Sequence, residues 1–103
     1  MKLLTAKNKK DLPALYTQDG KGSDAVAVVK FFDPSGRYTF YATEYDGEDT
    51  FFGYAVSMFG EDCDEYGYAS LSEMQGEKGR FGLGIERDRH FTPRPLKELD
   101  LGL

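Results

Sequence analysis

The chain predicts an α+β fold: a small antiparallel β-meander of three to five strands, with short helices at the N-terminus, after the sheet and, weakly, at the C-terminus. Three observations carry this. Runs rich in β-branched and aromatic residues fill the middle of the chain and are separated by short turn signals. The helix signals lie at the ends and after the strand runs, the arrangement expected of α+β rather than of alternating β–α units. Finally, 103 residues with 15% aromatics, among them 8 Phe and 7 Tyr, supply one domain, residues 1–103, with a core large enough to need no metal or disulfide staple.

Taken in order, "LTAKNKKDL" at 4–12 predicts a short helix with Thr5 as N-cap and Pro13 beyond its end. Leu4, Leu12, Leu15 and Tyr16 are expected to pin it to the core. "TQDGKGSD", 17–24, reads as a polar loop. "AVAVVKFF", 25–32, is the clearest strand, and "DPSG", 33–36, a turn in which Pro34 presets φ and Gly36 admits an unusual one. "RYTFYATEY", 37–45, is the second strand. Simple alternation puts Tyr38, Phe40 and Ala42 on one face and Thr39, Tyr41, Thr43 and Tyr45 on the other. "DGED", 46–49, is a turn in which Asp46-Gly47 supplies two φ > 0 positions. "TFFGYAVSMF", 50–59, is the third strand, and Gly53 within it signals a bulge or a close approach. After the acidic loop "GEDCDE" comes a shorter strand, "YGYASL", at 66–71. A helix follows at 70–75, capped by Ser70 or Ser72 with Glu73 as in a capping box. "GEKGRFGLG", 76–84, is glycine-rich loop. "IERDRHF", 85–91, is a last strand, and "LKELDLGL" a weak closing helix.

Charge is distributed unevenly. The net charge is -5, yet from Tyr38 to Glu77 there is no Lys or Arg against ten acids, and both ends are mildly basic. Such asymmetry bears on partners rather than on fold. The single cysteine, Cys63, forms no internal disulfide and no metal-binding pair, which suits a reducing, cytoplasmic setting. The opening "MKLLTAKNKKDLPALY" has no long apolar run and reads as neither a signal peptide nor a membrane span.

The run Tyr41-Ala42-Thr43-Glu44-Tyr45-Asp46-Gly47-Glu48-Asp49-Thr50-Phe51-Phe52-Gly53 is distinctive, and "LP-x-LY" at 12–16, Ser70-Leu71-Ser72-Glu73 and Ile85-Glu86-Arg87-Asp88 accompany it in order. The set resembles a family of small bacterial, plasmid and phage proteins described only as a domain of unknown function. In that family the same pieces run on through "GL-x-IERD-x-x-F-x-P-x-PL", here Gly82 to Leu96. The resemblance covers nearly the whole chain. It implies a mobile-element setting, alongside conjugation, replication or antirestriction proteins, and implies no activity or catalytic residue. "FGEDCDE" and "GEKGRFG" depart from the family pattern.

Two residue sets invite a chemical reading. Glu44, Asp46, Glu48 and Asp49 offer oxygen ligands for a hard cation, although their spacing is not that of an EF-hand. A metal-dependent enzyme would use Glu44 and Asp46 with Glu86 and Asp88, converging from separate elements. Glu86, Asp88 and His90 share a strand face, and Arg87 and Arg89 the other; a charged edge strand explains this pattern as well. Arg87 is a candidate to bridge to the acidic turn. Cys63 stands among acids, a setting unsuited to a thiolate nucleophile. No Ser–His–Asp, zinc or phosphate-loop motif is present, so no catalytic residue is named and no cofactor is expected.

Sheet aromatics can stack bases, which makes a single-strand binder a third reading. Its aromatic stretch lacks the clustered Lys/Arg that a phosphate backbone needs, which argues against direct nucleic-acid binding. The favoured expectation is a small non-enzymatic accessory protein that binds a protein partner with a basic surface, such as a DNA-processing or defence enzyme. Its contact would be Glu44, Asp46, Glu48 and Asp49, with Tyr45, Phe51 and Tyr54 as aromatic anchors. No membrane is involved, and the oligomeric state is open.

Overall fold

A computed structural model of the chain describes residues 3–57, 60–76 and 84–103. It opens with α1, Ala6–Asp11. The Thr5 hydroxyl accepts the Asn8 backbone N–H at 3.1 Å, and the Asn8 side-chain oxygen accepts the Thr5 N–H at 3.1 Å. This reciprocal capping box satisfies donors the first turn leaves open. The helix buries none of its own residues. Leu3, Leu4 and Leu12, which flank it, enter the core.

Among the described residues seven strands follow: β1 (Val26–Ala27), β2 (Val29–Phe32), β3 (Thr39–Tyr45), β4 (Thr50–Val56), β5 (Glu65–Ser70), β6 (Glu86–Arg87) and β7 (Arg94–Pro95); α2 (Leu71–Gly76) stands between β5 and β6. The main sheet is antiparallel, in the order β5-β4-β3-β2-β6, and β1 pairs with β7 in a separate two-stranded ribbon. Four consecutive strands thus form the expected meander, with a fifth returning to its other edge.

Several expectations require correction. The run 25–32 is not one strand. It breaks at Val28, whose N–H donates to the Ala42 carbonyl at 2.8 Å, and its first part leaves the sheet to meet β7. The expected strand 85–91 pairs over only Glu86–Arg87. The Asp88 carboxylate then accepts the His90 N–H at 2.9 Å and closes a turn. The C-terminal helix is a single 3-10 turn, Leu96–Glu98. Gly36 does not use a left-handed φ; the Asp33 carboxylate, accepting from Ser35, shapes that turn instead. The end of the third expected strand (58–59) and most of the glycine-rich loop (77–83) lie outside the described residues.

The sheet is covered unequally on its two faces. One face carries Val29, Phe31, Phe40, Ala42, Tyr45 and Phe51, packed under Leu3, Leu4, Leu12, Met74 of α2 and Ile85. Phe51 sits at the centre, its ring centroid 4.6 Å from Tyr45 and 5.2 Å from Phe31. On the other face Tyr41 and Tyr54 pack with Ala25, Ala27 and Leu96, and with Phe91, Leu99 and Leu101 of the C-terminal segment. That segment leaves the aromatic side chains over β4 and β5 open.

Candidate functional site

A bulge in β3 builds the site. Ala42 pairs with Gly53, yet the next pair is Glu44 with Phe52, so β3 holds one residue more than β4 at this point. An extra residue inverts the side-chain alternation beyond it. Tyr45 therefore rejoins Phe40 and Ala42 in the core, against the expected face assignment, and Glu44 turns to the opposite face. Gly53 makes the bulge possible: a Cβ there would stand 2.0 Å from the Tyr41 carbonyl oxygen.

Glu44, expected on the contact surface, is 3% exposed. Its two oxygens accept the Tyr16 N–H at 2.9 Å and the Gln18 N–H at 2.6 Å. Those bonds draw the 16–22 loop over the sheet and hold Tyr16 at φ 72, a left-handed conformation that bulky residues rarely adopt. Gln18 locks the loop from the other side. Its amide donates to the Val26 and Thr43 carbonyls at 3.1 and 2.8 Å and accepts the Val26 N–H at 2.7 Å. Nothing in the sequence marks Gln18 as a keystone, because its partners, Val26 on β1 and Thr43 and Glu44 on β3, come from two distant segments. Tyr16, expected in the core, is instead 69% exposed.

Between this loop and the open half of the sheet lies a pocket of about 390 Å³. Its floor is Phe52 from β4 with Tyr66 and Tyr68 from β5, which alternation places on the same face as Glu44. The Phe52 centroid is 5.1 Å from Tyr68 and 6.5 Å from Tyr66. Tyr16, Gln18, Asp19, Thr43, Glu44 and Leu96 form much of the wall, and among the described residues no Lys or Arg lines it. A side-chain hydrogen bond with Tyr16, the charge of Tyr16, desolvation and the nearby Glu44 and Asp19 push the Tyr68 phenol above its ordinary pKa. The site is therefore anionic and aromatic.

The remaining acids of the middle segment are spent in different ways. Asp46 does not form a two-residue turn with Gly47, since only Gly47 takes a positive φ. Its carboxylate instead accepts the N–H groups of Glu48, Asp49 and Thr50 at 2.8–3.0 Å, and these bonds hold its pKa below the usual range. Asp49 accepts the Ser70 hydroxyl at 2.6 Å and the Ser72 N–H at 2.8 Å, which caps α2 and lowers its pKa. Asp64 takes both guanidinium nitrogens of Arg37 at 2.9 Å. Glu48, Asp62 and Glu65 stay exposed.

Of the expected contact set, only Asp46, Glu48 and Asp49 lie at the hairpin tip with solvent access, Asp49 partly covered; Tyr45, Phe51 and Tyr54 are buried in the two cores. The structure does not bring Glu44 and Asp46 together with Glu86 and Asp88. Glu86 lies two strands away on β6, and Asp88 faces Lys30 at 3.6 Å. Among the described residues, no group of three or more His, Cys, Asp and Glu is placed to hold a metal ion. Arg87 donates to the Leu3 carbonyl at 2.9 Å, tying the last strand to the N-terminus. The aromatic signal is legible in the sequence, but the exposed aromatic surface is Tyr66 and Tyr68, with Phe52 half-buried beside them, and not Tyr45, Phe51 and Tyr54.

No described helix is long and apolar enough to cross a membrane. Residues 3–98 match the model of a family described as "Protein of unknown function (DUF2958)", and the chain belongs to that family. Comparisons with curated proteins and with solved structures gave no match.

Proposed function

We propose that this member of the family is a non-enzymatic binding protein whose acidic, aromatic face receives a protein partner with a basic surface. The observation that carries this is the pocket: four aromatic rings and two carboxylates converge in it, and among the described residues no lysine or arginine joins them. Exposed aromatic side chains beside fixed negative charge give a partner apolar area and electrostatic complementarity together. Glu48, Asp62 and Glu65 are exposed elsewhere on the surface and add to the net charge of -5, which raises association rates with a positively charged partner. An enzyme with a basic nucleic-acid groove, in keeping with the mobile-element setting that the sequence resemblance implies, is the partner class this layout suits. The same charge repels a phosphate backbone, so the open aromatics do not favour nucleic acid.

The test is fluorescence polarisation with labelled basic, neutral and acidic peptides of one length, plus a labelled single-stranded oligonucleotide, at low and at physiological salt. The basic peptide is expected to bind and to weaken as salt rises, with the others inert. Glu48→Lys combined with Asp62→Lys should weaken it further at unchanged melting temperature. Asp49 is left alone because it caps α2. Failure of the basic peptide at low salt, or affinity indifferent to salt, overturns the reading.

A further inference from the structure

We propose that the pocket is a receptor for the guanidinium group of an arginine on that partner, neutralised by Glu44 and flanked by the rings of Tyr66, Tyr68 and Phe52. The inference rests on the partner being a basic protein, and it deepens that reading by naming the side chain and the seat.

Four features converge. Glu44 is almost wholly buried, yet it accepts only neutral backbone N–H groups, and among the described residues no Lys, Arg or His pairs with it. A buried carboxylate without a counter-charge is costly, and two N–H donors leave lone pairs on both oxygens for a cation. The floor is aromatic and open, with Tyr68 60% and Tyr66 39% exposed. Cations sit favourably over such faces. Asp19 adds a second negative charge to the wall. Lastly, Tyr16 stands at φ 72 on the pocket's rim, and strain of this kind is found where a loop is held ready for a ligand.

Guanidinium suits the site better than ammonium. It is planar, more weakly hydrated, able to stack on a ring and able to pair with a carboxylate at once, whereas lysine would bring a compact, strongly hydrated charge into a largely aromatic seat. The volume, about 390 Å³, is at the small end of the roughly 300–1,000 Å³ of ligand pockets. That fits one side chain with its neighbouring peptide, not a dinucleotide-sized ligand.

The experiment is an NMR titration of the full chain, following the tyrosine ring resonances. The probes are N-acetyl-arginine amide, the lysine analogue and the neutral isostere N-acetyl-citrulline amide. The arginine probe is expected to bind in the millimolar range and to shift Tyr16, Tyr66 and Tyr68, with citrulline weaker by roughly tenfold or more, the loss of one charge-assisted contact. Glu44→Gln should abolish the difference between them. Because that variant also disturbs the 16–22 loop, Tyr68→Ala, at an exposed position, is the second arm; it should weaken the arginine probe severalfold with the melting temperature kept.

Equal binding of citrulline, shifts confined to residues outside the pocket, or indifference to Tyr68→Ala overturns the proposal. Arginine-rich and lysine-only peptides of equal charge then separate it from the broader reading. If both bind equally, lose affinity with salt and ignore Tyr68→Ala, the pocket proposal fails and the acidic-face reading stands. If arginine amide fills the pocket but neither peptide gains affinity from its added charge, the pocket stands, its occupant is a small free guanidine, and the broader reading fails.

Discussion

Tyr16 and Gly53 show how single residues decide this site. Tyr16 holds a left-handed φ of 72 at a steric cost of about 1–2 kcal/mol, offset by its N–H bond to Glu44. Tyr16→Gly would relieve the strain while removing the ring. Glycine's greater freedom in the unfolded chain cancels part of the gain, so a melting temperature unchanged or slightly raised is expected, together with weaker binding of the arginine probe. A marked fall in the melting temperature would mean the Tyr16 ring supports the fold rather than the pocket. Gly53→Ala is the opposite case. Its Cβ would meet the Tyr41 carbonyl oxygen at 2.0 Å, a backbone atom that cannot step aside. A loss of about 3 kcal/mol or more is expected in chemical denaturation. A loss under about 1 kcal/mol would show that β3 and β4 can separate there at little cost.

At the scale of elements, the β3–β4 hairpin does more than turn the chain. Its tip reaches α2: the Asp49 carbonyl accepts the Leu71 N–H at 2.8 Å, and its carboxylate holds Ser70 and Ser72. The expected cap, Ser70, is present, with the Glu73 N–H donating to its hydroxyl at 3.3 Å, but it works together with an acid twenty-one residues earlier. Asp49→Ala is therefore expected to fray α2 and loosen Met74 from the core. Faster amide exchange across 71–76 and a melting temperature lower by several degrees would register it; unchanged exchange there would show that the serine cap suffices. The short β6 is secured differently, by Arg87 donating to the Leu3 carbonyl and by Asp88, whose N–H donates to the Lys30 carbonyl at 2.9 Å while its carboxylate pairs with the Lys30 ammonium at 3.6 Å. The residues before α1 and the returning β6 are thereby tied together at one edge of the sheet.

For the whole molecule, the acid and alkaline limits of stability follow from the same bonds. Hydrogen bonds from backbone N–H groups to Asp46, from Ser70 and Ser72 to Asp49, and from Arg37 to Asp64 hold these carboxyls below their unfolded pKa. A depressed folded pKa gives stability that is complete above the unfolded value, about 3.9, and is lost as pH falls through the folded one. The melting temperature should therefore hold through neutral pH and decline below about pH 4, with Asp46→Asn flattening that decline. Tyr41, Tyr45 and Tyr54 shift upward, chiefly through burial. Their contribution is present below about pH 10, the unfolded value, and is lost as pH rises beyond it. A melting temperature that rises on acidification below pH 4 would contradict the carboxylate assignments. With a net charge of -5, monovalent salt should stabilise modestly by screening.

The sequence by itself determined the strand-rich middle, the Thr5 cap, the α+β class and the acidic, lysine-free stretch from 38 to 77. Each is a local matter of propensity, capping chemistry or composition, readable within a few neighbours. It also marked Gly53 as a place where something comes close. Only the tertiary structure decided where the carboxylates and rings point. One extra residue in β3 turned Glu44 into a pocket and Tyr45 into the core, and a two-residue period cannot reveal a bulge that depends on a glycine of the neighbouring strand. Likewise the partners of Glu44, at Tyr16 and Gln18, are twenty-eight and twenty-six residues away. Contacts at that separation arise from the closed sheet and its covering loop, because burial, not local sequence, selects which polar group must be satisfied there.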